Sequence, residues 1–225
     1  LLTSKGLIIP TTKGMLAKDK SGNDLWENKV KNVNWMVASE DEKDIYAFEL
    51  TNNGGNTKIY KINSNGQEAW DGGQKVQGTI STFEILPQGL AVVSDKVNTQ
   101  KGIAKLAGGK SQSNISMLSA STGEDLWSKA PKTKGYVQHF YVMDDGIVFG
   151  IQEGGINKIS FDGQTLFKKP LKTGENIHTM AQTDNGMIYI TDSDANIINL
   201  SNGEQVWDKP LKYKNSDAVA SAYDD

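Results

Sequence analysis

Hydrophobic and polar positions alternate along this chain in short runs, and no apolar set recurs at helical spacing. Five runs open on a glycine or an acidic turn residue: Gly6-Leu7-Ile8-Ile9, Asp44-Ile45-Tyr46-Ala47, Gly89-Leu90-Ala91-Val92, Gly146-Ile147-Val148-Phe149 and Gly186-Met187-Ile188-Tyr189. A second apolar run follows, as in Ile59-Tyr60-Lys61-Ile62, Ile115 to Leu118 and Ile197 to Leu200. An extended segment precedes the first run, as in Tyr136 to Met143 or Ile177 to Thr183. Runs of about four to eight residues bounded by Gly, Asn, Asp and Ser have strand length and strand punctuation. The pattern predicts almost no helix.

After each second run comes a glycine turn and then an aromatic residue. The five instances are Ser21-Gly22-Asn23-Asp24-Leu25-Trp26, Asn65-Gly66-Gln67-Glu68-Ala69-Trp70, Thr122-Gly123-Glu124-Asp125-Leu126-Trp127, Asp162-Gly163-Gln164-Thr165-Leu166-Phe167 and Asn202-Gly203-Glu204-Gln205-Val206-Trp207. The aromatics are spaced by 44, 57, 40 and 40 residues, and four of the five tryptophans fall in this register. With the aromatic-bearing segment counted as a strand, each unit has four strands, and tandem units of about 40 residues are the signature of β-propeller blades. A lone blade cannot bury both faces, so neighbouring blades bury each other. A large aromatic between them fills the wedge. Trp26, Trp70, Trp127, Phe167 and Trp207 are therefore read as blade-docking residues.

The expected fold is all-β, a single propeller domain over 1–225 of four-stranded antiparallel blades. The units span about 1–33 plus 214–225, 34–76, 77–133, 134–173 and 174–213. Two of them are long. One carries Thr51-Asn52-Asn53-Gly54-Gly55-Asn56-Thr57, and the other a polar, glycine-rich extension within Asp95 to Asn114. Both read as loop or hairpin insertions.

These turns resemble the repeats of the PQQ-type, quinoprotein-like propellers, with Thr122-Gly123-Glu124-Asp125-Leu126-Trp127 the best match. The resemblance covers nearly the whole chain. It implies the propeller fold, and it spans both quinoprotein dehydrogenases and non-enzymatic BamB-like scaffolds. Family members usually have seven or eight blades, against five turns here. Either the segment 214–225, with Ala218-Val219-Ala220-Ser221-Ala222-Tyr223, supplies the missing strand of the first blade and closes the ring, or the chain is part of a longer propeller. Both alternatives stand at this point.

Composition narrows the chemistry. The chain has no cysteine, and the five tryptophans, 23 glycines and 37% hydrophobic content suit many short strands joined by polar turns. All 24 basic residues are lysine. Lysine replaces the planar, bidentate arginine poorly at phosphates, and a net charge of −3 gives no pull toward nucleic acid. The resemblance implies that a quinone cofactor would need a vicinal cysteine pair and an arginine, and this sequence has neither. PQQ is therefore not expected, and no cofactor or metal is assigned. No apolar run reaches the ~20 residues of a transmembrane helix. The chain begins at Leu1, which fits a removed signal peptide or a lipid anchor upstream.

A candidate ligand site gathers both histidines. His139 and His178 occupy neighbouring positions on the first strands of adjacent units, which line the central channel in the family. Tyr136, Gln138, Asn176 and Thr179 accompany them. The competing reading is a set of polar residues facing a water-filled channel, since two histidines without a placed carboxylate make a weak metal signal. Asp192-Ser193-Asp194-Ala195-Asn196 begins like a calcium loop but lacks the later glycine and glutamate, so it reads as a hairpin turn. Trp35 is the one tryptophan outside the register and a candidate partner anchor, set against a packing role.

The expected function is a non-enzymatic, exported bacterial scaffold, periplasmic or outer-membrane-associated, that binds a protein or polymer partner on a loop face. The alternative is an enzyme or ligand-binding sensor with a carbohydrate- or quinone-related site at the channel.

Overall fold

The computed structural model describes residues 1–51, 55–96, 112–129, 131, 133–152 and 154–214. The tip of the first insertion, most of the second, and the C-terminal strand expected within 214–225 lie outside the described residues. Every regular element among those described is a β-strand.

The strands form five antiparallel sheets of three or four strands, taken up one after another along the chain, a propeller-like arrangement. The first holds β1 (Gly6–Pro10), β2 (Met15–Asp19) and β3 (Asp24–Asn28). The second holds β4 (Trp35–Ala38), β5 (Asp44–Thr51), β6 (Asn56–Asn63) and β7 (Gln74–Gln77). In the third are β8 (Thr79–Leu86), β9 (Gly89–Asp95) and β10 (Ser113–Ser119). The fourth has β11 (Val137–Met143), β12 (Gly146–Ile151) and β13 (Gly155–Ile159). The fifth has β14 (Thr179–Thr183), β15 (Gly186–Ile190), β16 (Asp194–Ile198) and the short β17 (Leu211–Lys212).

Two compact units contain these sheets: Leu1–Gly109 with Asn114–Ser128, and Lys110–Ser113 with Lys129–Asp225. Within the first unit, the second sheet shows why the strands read as continuous apolar runs. Ile45, Ala47, Tyr60 and Ile62 face the first sheet, against Ile8, Met15, Ala17 and Trp26. Tyr46, Phe48 and Ile59 face the third, against Ile80, Leu90, Val92 and Leu118. A sheet buried on both faces needs apolar residues at every central position. In the second unit Val148 and Ile156 of the fourth sheet pack on Met180, Met187, Tyr189 and Ile198 of the fifth.

The expected fourth strand is displaced. Only in the first sheet does the aromatic lie in a strand, Trp26 in β3. At Trp70, Trp127, Phe167 and Trp207 the chain bends, and it touches the preceding strand through one isolated bridge per unit: Ile62 with Glu68, Leu118 with Asp125, Ile159 with Thr165 and Ile198 with Gln205. Where a fourth strand forms it follows the aromatic, as β7 and β17. At Trp70 and Phe167 the bend turns the ring out of the sheet's own ladder and onto the neighbouring sheet.

That neighbour offers its turn glycine. A Cβ on Gly66 would lie 2.5 Å from Cδ2 of Trp26, and one on Gly123 would lie 2.6 Å from Cδ2 of Trp70. In the second unit, Gly203 stands in the same relation to Phe167, at 2.6 Å from Cγ. The glycine is required twice over: φ is +82° at Gly66 and +75° at Gly123, and the ring occupies the space a side chain would fill. The indole N–H is also satisfied across the gap. Trp26 Nε1 donates to the Ser64 carbonyl at 3.1 Å, and Trp70 Nε1 to the Ala120 carbonyl at 3.3 Å.

A buried lysine repeats the same crossing. Lys61 Nζ pairs with Asp44 at 2.9 Å and donates to the Ala120 carbonyl of the next sheet's turn at 2.8 Å. Lys158 Nζ pairs with Asp145 at 2.7 Å and donates to the Leu200 carbonyl at 2.9 Å. Each stem lies along apolar surface while the ammonium reaches polar partners.

Candidate functional site

The sequence-derived ligand site falls within the second unit, and its members take separate partners. His139, half-buried on β11 and paired across the ladder with Gly150, places Nε2 3.0 Å from the Ile177 carbonyl. His178 lies one residue further on, just before β14, and places Nε2 2.6 Å from Asp192 Oδ1. Both members of that pair are about half exposed. Tyr136 accepts a hydrogen bond from the Gln152 amide through its carbonyl. Gln138 sits exposed at the register shift between Val137 and His139, Asn176 is exposed, and Thr179 opens the ladder opposite Ile190. The two imidazoles thus point their bonded nitrogens at different groups. Among the described residues no cluster of three or more His, Asp or Glu side chains has metal-site geometry.

Beside His178, the Thr191–Asp194 segment forms the hairpin turn between β15 and β16. Thr191 N–H donates to the Asp194 carbonyl at 2.8 Å, which is the turn chemistry expected of this Asx-rich stretch. Glu175 holds the turn from outside. Its carboxylate accepts from Thr191 Oγ1 at 2.7 Å, Ser193 Oγ at 2.7 Å and the Ser193 amide at 3.0 Å. The Ser193 hydroxyl first, then Thr191, keeps this carboxyl below its ordinary value of 4.5. A depressed folded value means the contribution is present above 4.5 and is lost as the pH falls through the lowered value. The protection factor of the Ser193 amide is expected to fall below pH 4.5 by native-state hydrogen exchange. In Glu175→Gln it is expected to be low and flat across the same range.

A second candidate lies in the first unit, where the sequence drew attention only to Trp35. β4 and β8 are the edge strands of the second and third sheets. Beside them opens a cleft of about 780 Å³ with an apolar lining of Val37, Phe83 and Ile85. Trp35 braces the wall. It stacks on Phe48, its cross-strand partner, at 4.8 Å between centroids, and Phe48 in turn meets Phe83 at 5.2 Å. Trp35 is half-buried, so the packing role is the one the structure displays.

Four carboxylates line the same cleft: Glu40, Asp41, Asp44 and Glu84. Two are engaged. Asp41 bonds Lys43 and Ser39, which hold its carboxyl well below the usual range, and Asp44 pairs with Lys61. Glu40 and Glu84 are exposed, and among the described residues their carboxylates form no hydrogen bond or ion pair. Tyr46, at the back of the cleft, stays a neutral phenol, because burial and then the Asp44 carboxylate push it up to about 12. The acidic turn Ser39-Glu40-Asp41-Glu42-Lys43-Asp44 is visible in the sequence. Its proximity to Phe83-Glu84-Ile85 is a contact between sheets that strand patterning does not reveal.

Comparison with known proteins adds the following. Residues 111–222 match the family described as outer membrane protein assembly factor BamB. No curated protein matches the chain. Among solved structures, the computationally designed Ika8 protein is 13% identical with a TM-score of 0.44, covering 100% of this chain and 77% of that one. The AfRom2 CNH domain is 14% identical with a TM-score of 0.47, covering 99% and 74%. A protein of unknown function from Bacteroides caccae is 15% identical with a TM-score of 0.38, covering 91% and 72%.

Proposed function

This chain carries PQQ-type repeats of the BamB-like family, and on that premise we propose that it is a non-enzymatic propeller scaffold that holds a protein partner. The family match over residues 111–222 carries the reading. The proposed location is the bacterial periplasm, at or near the outer membrane. No helix among the described residues is long and apolar enough to cross a membrane.

The proposed docking site is the cleft beside β4 and β8. Its apolar floor supplies contact area, and the unengaged carboxylates of Glu40 and Glu84 favour a cationic segment. Rim charges of this kind set partner choice and salt dependence more than raw affinity. Placing the photo-reactive residue p-benzoylphenylalanine at Glu84 should give one discrete protein adduct in envelope extracts, weakened by salt. The same probe at Lys13 should not. Reversing the charge that remains at the cleft, Glu40→Lys, in the chain that carries the probe should lower the adduct several-fold. Equal adducts from the Glu84 and Lys13 positions would sink the assignment.

A second reading, a ligand-binding sensor, draws on the exposed His178–Asp192 pair at 2.6 Å. It would be favoured if loss of His178 removed binding of a small polar ligand while the Glu84 adduct persisted.

A further inference from the structure

The residue just before each repeated aromatic is apolar, and all five of them, Leu25, Ala69, Leu126, Leu166 and Val206, are exposed. This exposure persists where the ring itself is covered. Phe167 is buried to 2% against the fifth sheet, while Leu166 beside it is 38% exposed. Val206, at the same position of the fifth sheet, is 43% exposed. Backbone bonds to the preceding strand fix both residues. The N–H of Leu166 donates to the Lys158 carbonyl at 2.9 Å, and that of Val206 to the Ile197 carbonyl at 2.7 Å.

In the second unit lysines join this apolar position. Leu166-Phe167-Lys168-Lys169-Pro170-Leu171-Lys172 runs beside β13, and Val206-Trp207-Asp208-Lys209-Pro210-Leu211-Lys212 runs beside β16. The fourth and fifth sheets dock on one another, with the Phe167 ring at Gly203 and Lys158 bonded to the Leu200 carbonyl. The two segments are therefore neighbouring parts of one edge. All five lysines are exposed, and among the described residues their ammonium groups form no hydrogen bond or ion pair. Lys212 is close enough to Glu175 to help draw its carboxyl down. The two segments hold five lysines and one acid, against three lysines and two acids in the matching segments 25–31 and 69–75 of the first unit.

We propose that this edge of the second unit rests on an anionic lipid surface, with Leu166 and Val206 entering the headgroup layer and Lys168, Lys169, Lys172 and Lys209 lying over its phosphates. Exposed apolar side chains set among unpaired cations combine the two attractions that hold a protein at a bilayer interface. Lysine suffices for this role, because the attraction is to a surface potential and needs no bidentate geometry. The whole chain carries −3, so a local surface has to supply any attraction to an anionic bilayer. Lysine and proline also keep a sheet edge from pairing, a role that needs no apolar neighbour. The inference goes beyond the scaffold reading and does not rest on it, since the cleft beside β4 and β8 belongs to the first unit.

Sedimentation with lipid vesicles tests it. The chain should pellet with vesicles of two parts phosphatidylcholine to one part phosphatidylglycerol, should stay in solution with phosphatidylcholine alone, and should be released by salt. Lys168→Gln, Lys169→Gln, Lys172→Gln and Lys209→Gln together should weaken binding at least ~10-fold. The same change at four exposed lysines of the first unit, Lys5, Lys13, Lys29 and Lys31, should weaken it less than about twofold. Leu166→Ser with Val206→Ser, which keeps every charge, should weaken it at least ~5-fold. All these side chains are exposed, and circular dichroism of each variant keeps misfolding apart from lost binding. No pelleting with the mixed vesicles, or equal losses from the two lysine sets, would overturn the proposal. So would binding unaffected by the serine pair. In that case displacement of the vesicles by dextran sulfate would assign the lysines to a soluble polyanion, and no displacement would leave them as guards of the sheet edge.

Discussion

Trp70→Ala should destabilise the chain by about 3–5 kcal/mol, the range for truncating a buried large aromatic. The side chain is 1% exposed and packs edge-on to Tyr46 at 5.6 Å. It also covers Gly123 and donates to the Ala120 carbonyl, so its removal opens a cavity and removes a cross-sheet hydrogen bond. The Ala120 carbonyl keeps Lys61 as a donor, which limits the polar part of the loss. Urea unfolding followed by tryptophan fluorescence reads the change, and Trp207→Ala serves as the comparison. Trp207, 37% exposed, should cost a small fraction of the Trp70 value.

Asp44→Leu should cost about 2–3 kcal/mol, because it leaves the Lys61 ammonium, with its side chain only 10% exposed, without its carboxylate. The figure sits below the ~3–5 kcal/mol of a fully buried pair, since Asp44 keeps a third of its side-chain surface and Ala120 still accepts from Lys61. Combining Asp44→Leu with Lys61→Met should recover most of the loss, as apolar replacement of a buried pair commonly does. A double variant no more stable than Asp44→Leu alone would show that the ammonium's bond to Ala120, and not the ion pair, is the main contribution.

Much of this architecture is written locally and therefore readable. The runs at Ile45–Phe48 and Leu90–Val93 announce strands buried on both faces, and they become β5 and β9. The glycine–aromatic register was legible because the turn glycine and the aromatic recur together in all five units. What joins them was not, since Trp26 meets Gly66 and Trp70 meets Gly123, each in the following sheet. The placement of the fourth strand failed for the same reason. The aromatic's contact across the sheet gap bends its segment and defers the ladder to Gln74–Gln77.

Side-chain chemistry was legible in part. Lys61 and Lys158 sit in alternating strands where a lysine reads as solvent-facing, and only the neighbouring turn carbonyl explains their burial. For the histidines, sequence placed His139 and His178 on adjacent first-strand positions. The partners they take, the Ile177 carbonyl and Asp192, depend on ring orientation, which no spacing encodes. Trp35 was noticed for being out of register, and its stacking on Phe48 follows from a cross-strand pairing that required the register of β4 on β5.

The central claim is that, within each compact unit, neighbouring sheets dock by laying an aromatic ring of one against a turn glycine of the next. A double-mutant cycle of Trp70→Ala and Gly123→Ala, read by urea unfolding, tests it most directly. In the wild-type background Gly123→Ala combines backbone strain at φ +75° with a clash 2.6 Å from the indole. In the Trp70→Ala background the clash with the rigid indole is gone, and what should remain is the strain of about 1 kcal/mol and a contact with the flexible Gln74 side chain, whose Cγ lies 2.5 Å from the same position and can swing aside. The account predicts a coupling of more than about 1 kcal/mol between the two sites. Equal costs of Gly123→Ala in both backgrounds would contradict it.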